Sequence, residues 1–175
     1  MDLANKKVLV IGAARSGIAA AKIAKKFGAS VILSDSKENL NLELRGVEIR
    51  LGKQTEELLS GVDLIIVSPA VPLRIPLLKA ASAQGIKIIS EVELAYDLAK
   101  SPICAVTGTN GKTTTVTLLG LLLKTAFDKV GVGGNIGVPL SEVALEVGAG
   151  GYLAAEISSY QMEATKNFKP HISAI

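Results

Sequence analysis

The sequence predicts an α/β fold built on parallel sheets. Short aliphatic runs recur along the 175 residues, helical stretches lie between them, and glycine-containing turns follow two of the runs. Runs with no polar alternation fit strands covered on both faces, and such strands belong to parallel sheets flanked by helices. The first run is Val8 to Gly12 (VLVIG). After it, Ser16 to Phe27 (SGIAAAKIAKKF) sets Ile18, Ala21, Ala24 and Phe27 at spacings of three with lysines on the other side, and Gly28 stops the helix. Ser30 to Asp35 (SVILSD) returns as a strand and completes a βαβ unit. Val47 to Leu51, Asp63 to Ser68 and Ile86 to Ser90 supply further strands, with helices expected at Arg74 to Gln84 and Glu91 to Ala99.

Ala99-Lys100-Ser101-Pro102 interrupts this series, and a proline after a helix end marks a boundary. A second βα series begins with Ile103 to Gly108 (ICAVTG), continues in a helix from Gly111 to Phe127, and adds strands near Lys129 to Val132 and Tyr152 to Ile157. Two domains are therefore expected, residues 1–100 and 101–175. Pro170 to Ile175 reads as the opening of another strand on which the sequence stops, so a longer parent chain is expected.

Composition excludes several classes. Hydrophobic residues make up 49% and charged residues 20%, with Gly 17 and Pro 6 scattered, which rules out disorder, collagen and coiled coil. The single cysteine, Cys104, permits no intramolecular disulfide, and the single histidine, His171, leaves no Cys/His metal site to assemble. The apolar run from Val8 is too short for an export signal, so a reducing cytoplasm is the expected location. Val116 to Leu123, the most apolar helical stretch, ends at Lys124, far below the roughly 20 residues of a membrane span. Nineteen Lys+Arg against sixteen Asp+Glu give a net charge of +3, spread along the chain with only doublets such as Lys6-Lys7 and Lys25-Lys26. With 3% aromatic residues and no Trp, the stacking surfaces of a nucleic-acid binder are also missing.

The strongest chemical signal is Thr107-Gly108-Thr109-Asn110-Gly111-Lys112-Thr113-Thr114-Thr115, between a buried strand and an apolar helix. Phosphate binding needs this composition. Glycines let backbone N–H groups turn toward phosphate oxygens, a helix N-terminus adds its positive end, a lysine bridges the terminal phosphates, and the next hydroxyl ligates Mg²⁺. Lys112 and Thr113 fit the last two roles. The generic pattern G-x-x-x-x-G-K-[ST] asks for glycine where this chain has Val106, so the strict motif fails while its structural context holds. Glu156, directly after the apolar run Tyr152 to Ala155, sits at a strand's C-terminal end, where ligands collect in open α/β sheets and where a hard cation needs an oxygen donor.

TGTNGKTTT resembles the ATP loop of the Mur ligases and their folylpolyglutamate synthetase relatives, which use T-G-T-x-G-K-[ST]-[ST]. Gly133-Gly134-Asn135-Ile136-Gly137 is similar to that family's GGNIG loop, and Glu156-Ile157-Ser158-Ser159-Tyr160-Gln161-Met162 to its E-x-S-S-[FY]-Q-[ML] segment. The resemblance implies a P-loop-type ATP-binding domain in the second half, with Gly108, Thr109, Asn110, Gly111, Lys112, Thr113 and Thr114 on ATP and Thr113 and Glu156 on Mg²⁺. It places Asn135, Ser159 and Gln161 near a sugar-nucleotide substrate.

The first glycine loop, Gly12-Ala13-Ala14-Arg15-Ser16-Gly17, follows a strand and opens a helix, and Asp35 ends the next strand near the roughly 20-residue offset of a dinucleotide fingerprint. Ala14 takes the second glycine position of that fingerprint, which weakens an NAD reading. The resemblance implies a Rossmann-like domain holding the uridine diphosphate end of the substrate, as in the D-glutamate-adding branch of the family, through Arg15, Ser16, Asp35, Ser36 and Ser68. Ser68-Pro69-Ala70-Val71 is similar to that branch's S-P-G-[IV] loop, with Ala70 in place of glycine. His171 precedes the position of the family's metal-associated histidine and reads as structural, and Cys104 reads as a small buried hydrophobe.

The implied reaction is ATP-dependent amide formation between UDP-N-acetylmuramoyl-L-alanine and D-glutamate, with Lys112 stabilising the transferred phosphoryl group, in cytoplasmic peptidoglycan synthesis. An L-alanine-adding Mur ligase, a non-catalytic nucleotide-binding module and an NAD-linked Rossmann protein remain as alternatives. The 175 residues by themselves are expected to be inactive in ligation and to bind nucleotide weakly, because the family's third domain would lie beyond Ile175.

Overall fold

The computed structural model describes residues 1–175, which divide into two compact units, Met1–Glu91 and Val92–Ile175. The first carries strands β1 (Lys7–Ile11), β2 (Ser30–Asp35), β3 (Glu48–Leu51), β4 (Leu64–Val67) and β5 (Lys87–Ser90), with helices α1 (Arg15–Lys26) and α2 (Pro76–Ala83). All pairings are parallel and the order is β3-β2-β1-β4-β5. Every residue of β4, and all of β1 after Lys7, is buried, as continuous aliphatic runs require. The edge strand β3 alternates exposed and half-buried residues instead.

Helix α1 buries Ala21 and Ala24 of the expected stripe, but its buried face is turned away from Ile18 and Phe27. Its buried residues are Gly17, Ala19, Ala20, Ala21, Ile23 and Ala24, while Ile18 is half-buried and Phe27 lies at the C-cap, exposed. Small side chains let the helix axis approach the sheet, and Gly17 sets the limit. A Cβ there would stand 1.8 Å from the Gly12 carbonyl oxygen, so only glycine permits this strand-to-helix approach.

The second unit contains β6 (Ile103–Val106), α4 (Lys112–Ala126), β7 (Val130–Gly134), α5 (Leu140–Val147), β8 (Tyr152–Glu156), α6 (Ser159–Met162) and β9 (Ile172–Ala174). Its sheet is again parallel, in the order β7-β8-β6-β9. Helix α3 (Glu91–Leu98), expected at the end of the first domain, packs into this second unit: Val92 and Ala95 share a core with Ile103, Ala105, Leu140, Val143, Leu153 and Ile157. On the other sheet face Val106 and Ala154 pack with Val116 of α4. Helix α5 was not among the expected elements. Its signal is short: Leu140, Val143, Ala144 and Val147 at helical spacing between Pro139 and Gly148.

The second unit also buries a charge. Burial alone would push the Glu93 carboxyl up, but hydrogen bonds from Lys166, Asn167 and Phe168 outweigh it and hold the group below the usual carboxylate range. A depressed folded pKa contributes stability that is complete above the unfolded value and lost as pH falls through the folded one. Thermal melts between pH 7 and pH 3 are therefore expected to show the midpoint dropping below the ordinary glutamate range, with a shallower drop in Glu93→Gln. Parallel pH profiles for the two proteins would count against this assignment.

Candidate functional site

In the second unit the chain leaves β6 at Val106 and turns through residues 107–111 into α4. Gly108 (φ 128°) and Gly111 (φ 77°) adopt conformations that favour glycine, and Gly111 is the N-cap of α4. No side chain caps this 15-residue helix and no acidic residue lies in its first turn, so its positive end faces the loop. Lys112 folds back across the loop, its Nζ donating to the Gly108 carbonyl at 2.8 Å and the Thr109 carbonyl at 3.3 Å. Thr109, Asn110 and Thr114 are exposed.

Three parallel strands bring a carboxylate to this loop. Val106 is in register with Glu156, and Glu156 with Gly134. Glu156 is buried, and its two oxygens are satisfied by different elements: Oε2 accepts from Thr113 Oγ1 at 2.7 Å and Oε1 from Asn135 Nδ2 at 2.8 Å. Those bonds offset the cost of desolvating the acid. The Asn135 amide N–H also donates to the Glu156 carbonyl at 2.8 Å. The close approach depends on Gly134, where a Cβ would lie 2.2 Å from the Glu156 carbonyl oxygen.

A threonine hydroxyl has one proton and two acceptor lone pairs, so Thr113 can donate to Glu156 and still offer a lone pair to a cation. With the Glu156 oxygens and the Asn135 carbonyl oxygen, the local donors are all hard oxygens, which suits Mg²⁺. No group of three or more His, Cys, Asp or Glu is placed to hold a metal by itself.

Beyond Glu156 the structure assigns roles that the sequence did not indicate. Ser158 is the N-cap of α6 in a reciprocal capping box: its N–H donates to Gln161 Oε1 at 2.8 Å and its Oγ accepts from the Gln161 N–H at 3.4 Å. Gln161, expected along the substrate cleft, is buried with its amide oxygen engaged in that cap. Ser159 is exposed on the first turn of α6. The S-x-x-Q spacing was the available sequence signal. His171 is exposed, and its backbone N–H donates to the Ile103 carbonyl. Cys104 is buried, and that burial pushes its thiol up.

In the first unit, chain direction across the sheet reverses at β1, which has β2 on one side and β4 on the other. Such a switch point opens a crevice at the strands' C-terminal ends. Gly12 and Ser68 both stand there: the Gly12 N–H donates to the Ser34 carbonyl and the Ser68 N–H to the Ile11 carbonyl. Ser68 is buried. Asp35 serves the loop's own geometry, with Oδ2 accepting from the Ala13 N–H at 2.7 Å and Oδ1 from the Lys37 N–H at 2.9 Å. Arg15 and Ser36 are exposed at this end and Ser16 is half-buried in the first turn of α1. Ala14 and Ala70, which replace glycines of the expected patterns, are both exposed.

Two family descriptions match the chain: "Mur ligase MurD-like, N-terminal domain" over residues 6–90 and "Mur ligase middle domain" over residues 106–175. The chain belongs to the Mur ligase family.

Its similarity to curated Mur ligases runs through both units. The UDP-N-acetylmuramoylalanine--D-glutamate ligase of Caldanaerobacter subterraneus subsp. tengcongensis is 47% identical over 182 aligned residues, covering 100% of this chain and 40% of that protein. The ligase of the same name from Pelotomaculum thermopropionicum is 45% identical over 99% of this chain and 40% of its own length. The chain thus spans about 40% of the length of the curated relatives it matches. Among solved structures, a pseudomurein peptide ligase type C from Methanothermus fervidus is 26% identical with a TM-score of 0.50, covering 89% of this chain and 33% of that one. A UDP-N-acetylmuramate:L-alanyl-gamma-D-glutamyl-meso-diaminopimelate ligase from Neisseria meningitides shares the fold at 19% identity, with a TM-score of 0.53, over 89% of this chain and 52% of its own. No helix is long and apolar enough to cross a membrane.

Proposed function

We propose that this chain supplies the substrate-nucleotide and ATP-binding parts of a cytoplasmic UDP-N-acetylmuramoylalanine--D-glutamate ligase of peptidoglycan synthesis. The observation that carries the reading is the convergence of Lys112, Thr113, Asn135 and Glu156 at the C-terminal ends of β6, β7 and β8. The names of its curated relatives favour D-glutamate as the amino acid added.

In this reading the turn at residues 107–111 and the first turn of α4 present N–H groups to the ATP phosphates, and Lys112 exchanges its two loop carbonyls for phosphate oxygens. A bound Mg²⁺ would neutralise charge on the β- and γ-phosphates. Thr113 and Glu156 would hold it, and the Asn135 amide keeps the Glu156 carboxylate oriented. The substrate carboxylate takes the γ-phosphoryl group, releasing ADP. The amine of D-glutamate then attacks the acyl phosphate, losing a proton as the amide forms and phosphate leaves. The division of labour proposed here gives residues 1–100 the uridine diphosphate group and residues 101–175 the nucleotide triphosphate. Ser159 and Gln161 belong to the substrate side, Gln161 by shaping α6.

Phosphate release from ATP that requires both UDP-N-acetylmuramoyl-L-alanine and D-glutamate, measured on a polypeptide of the relatives' full length, is the test of the reaction. Release that ignores D-glutamate would overturn the assignment. For the first unit, calorimetric titration is expected to show UDP and UDP-N-acetylmuramoyl-L-alanine binding more tightly than NAD, since residues 6–90 match a MurD-like N-terminal domain and Ala14 departs from the dinucleotide fingerprint. Tighter NAD binding would return the first unit to the dehydrogenase class.

A further inference from the structure

The second unit holds one buried carboxylate that the phosphate site does not use. Glu93, on α3, is fully buried, and both of its carboxylate oxygens accept hydrogen bonds from one turn, residues 166–168. The Lys166 N–H donates to Oε2 at 3.0 Å, the Asn167 N–H to Oε1 at 2.9 Å and Oε2 at 3.2 Å, and the Phe168 N–H to Oε2 at 3.1 Å. Asn167 Nδ2 adds a further bond to Oε1 at 2.9 Å. Three consecutive N–H groups converging on one anion form a nest of the kind that elsewhere collects free anions. Here the chain supplies the anion itself. The same turn is gripped a second time by α3, through an edge-on contact of Tyr96 with Phe168 at 5.7 Å between ring centroids.

The turn matters because of what lies on either side of it. Upstream is the segment that leaves Glu156: the Ile157 N–H donates to the Val106 carbonyl and Ser158 caps α6. Downstream, the His171 N–H donates to the Ile103 carbonyl and β9 runs beside β6, with Val106 opposite Ala174. The Ala174 carbonyl then accepts the Thr107 N–H at 3.0 Å, at the first residue of the phosphate loop. One carboxylate therefore anchors the crossover whose two ends flank the loop.

We propose that Glu93 is a positioning residue for the phosphate site, fixing the 166–168 turn so that β9 stays in register against Thr107 and the segment 157–161 leaves Glu156 in place. It touches neither nucleotide nor metal. Its effect on nucleotide rests on the phosphate-site reading above, whereas its coupling to Thr107 rests on the hydrogen bonds alone. Glutamine keeps the volume but removes the charge and turns an NH₂ group toward N–H donors, so Glu93→Gln loosens the turn without opening a cavity.

The test is amide hydrogen exchange on the full chain, with ATP binding followed by ³¹P NMR, for wild type, Glu93→Gln, Asn167→Ala and Lys112→Ala. Glu93→Gln is expected to lose about tenfold or more in protection at residues 166–168 and at Thr107, as loss of a charged hydrogen bond implies, and to weaken ATP binding by about tenfold. The β8 amides of the second unit should be unchanged and serve as the folding control. Asn167→Ala removes one side-chain donor from an exposed position and leaves the backbone nest, so it should shift the same amides in the same direction by less. It keeps the proposal testable if Glu93→Gln does not fold. Lys112→Ala should weaken ATP binding while leaving protection at 166–168 intact. If Thr107 keeps wild-type protection when residues 166–168 lose theirs, in Glu93→Gln or in Asn167→Ala, the proposal is overturned. Failure of the wild type to bind ATP would instead overturn the phosphate-site reading, and the exchange data would still decide whether Glu93 governs Thr107.

Discussion

Lys112→Ala, in a polypeptide of the relatives' full length, is expected to lower ATP-dependent phosphate release by about 10³-fold or more, the scale on which a cation at a transferred phosphoryl group acts. The same substitution should leave the unfolding midpoint nearly unchanged. Lys112 is only half-buried, and its Nζ donates to the Gly108 and Thr109 carbonyls, which can turn to water when the side chain is removed. Substitutions of this kind usually stay within about 0.5 kcal/mol. A large loss of turnover with intact stability separates a functional lysine from a structural one. Phosphate release near the wild-type rate would remove the loop from the reaction.

Gly134→Ala should have the opposite profile, with a large cost to the fold that carries the site down with it. A Cβ at Gly134 would lie 2.2 Å from the Glu156 carbonyl oxygen and 3.2 Å from its carbonyl carbon, both backbone atoms that cannot swing away, and its φ of 111° is one that alanine avoids. Relief requires β7 and β8 to part at the point where the Asn135 N–H meets the Glu156 carbonyl. A loss of about 3 kcal/mol or more is expected in urea unfolding, from strain and overpacking together. Gly137 is the control. Its φ is 61° but nothing lies within 4 Å of an added Cβ, so Gly137→Ala should cost only the left-handed backbone preference, about 1–2 kcal/mol. Equal costs at the two glycines would mean that close strand approach is not what Gly134 provides.

Much of this architecture was legible because buried parallel strands leave an unambiguous trace. Ser30 to Asp35 forms β2 over the residues expected, and the other strands shift by one or two positions at their ends. The turn from β6 into α4 was legible because a glycine-containing strand-to-helix turn dictates composition locally, within nine residues of chain. Other features depend on partners that the sequence does not place nearby. Helix α1 was expected to bury Phe27, yet its alanine face is the one that fits under the sheet, a choice set by Gly17 meeting Gly12. Asp35 read as a ligand contact, and the sequence did not show that its oxygens also accept from the Ala13 and Lys37 amides and so shape the loop. Glu93 carried no local signal, since the turn it holds is 73 residues away. Helix α3 read as the end of the first domain because it follows that domain's last strand, but Val92 and Ala95 find their apolar contacts in the second unit.

The central claim, that Thr113 and Glu156 hold Mg²⁺ on ATP at the loop ending in Lys112, is tested most directly by titrating ATP with and without Mg²⁺ into wild type and Glu156→Gln, read by ³¹P NMR. Glutamine retains the bond to Thr113 and turns its NH₂ group toward Asn135, whose side-chain amide must flip to accept it, while offering a cation a neutral oxygen in place of a charged one. Wild type is expected to bind ATP more tightly when Mg²⁺ is present, and Glu156→Gln to lose that gain while keeping its metal-free affinity. An equal gain from Mg²⁺ in both proteins, or none in wild type, would contradict the account.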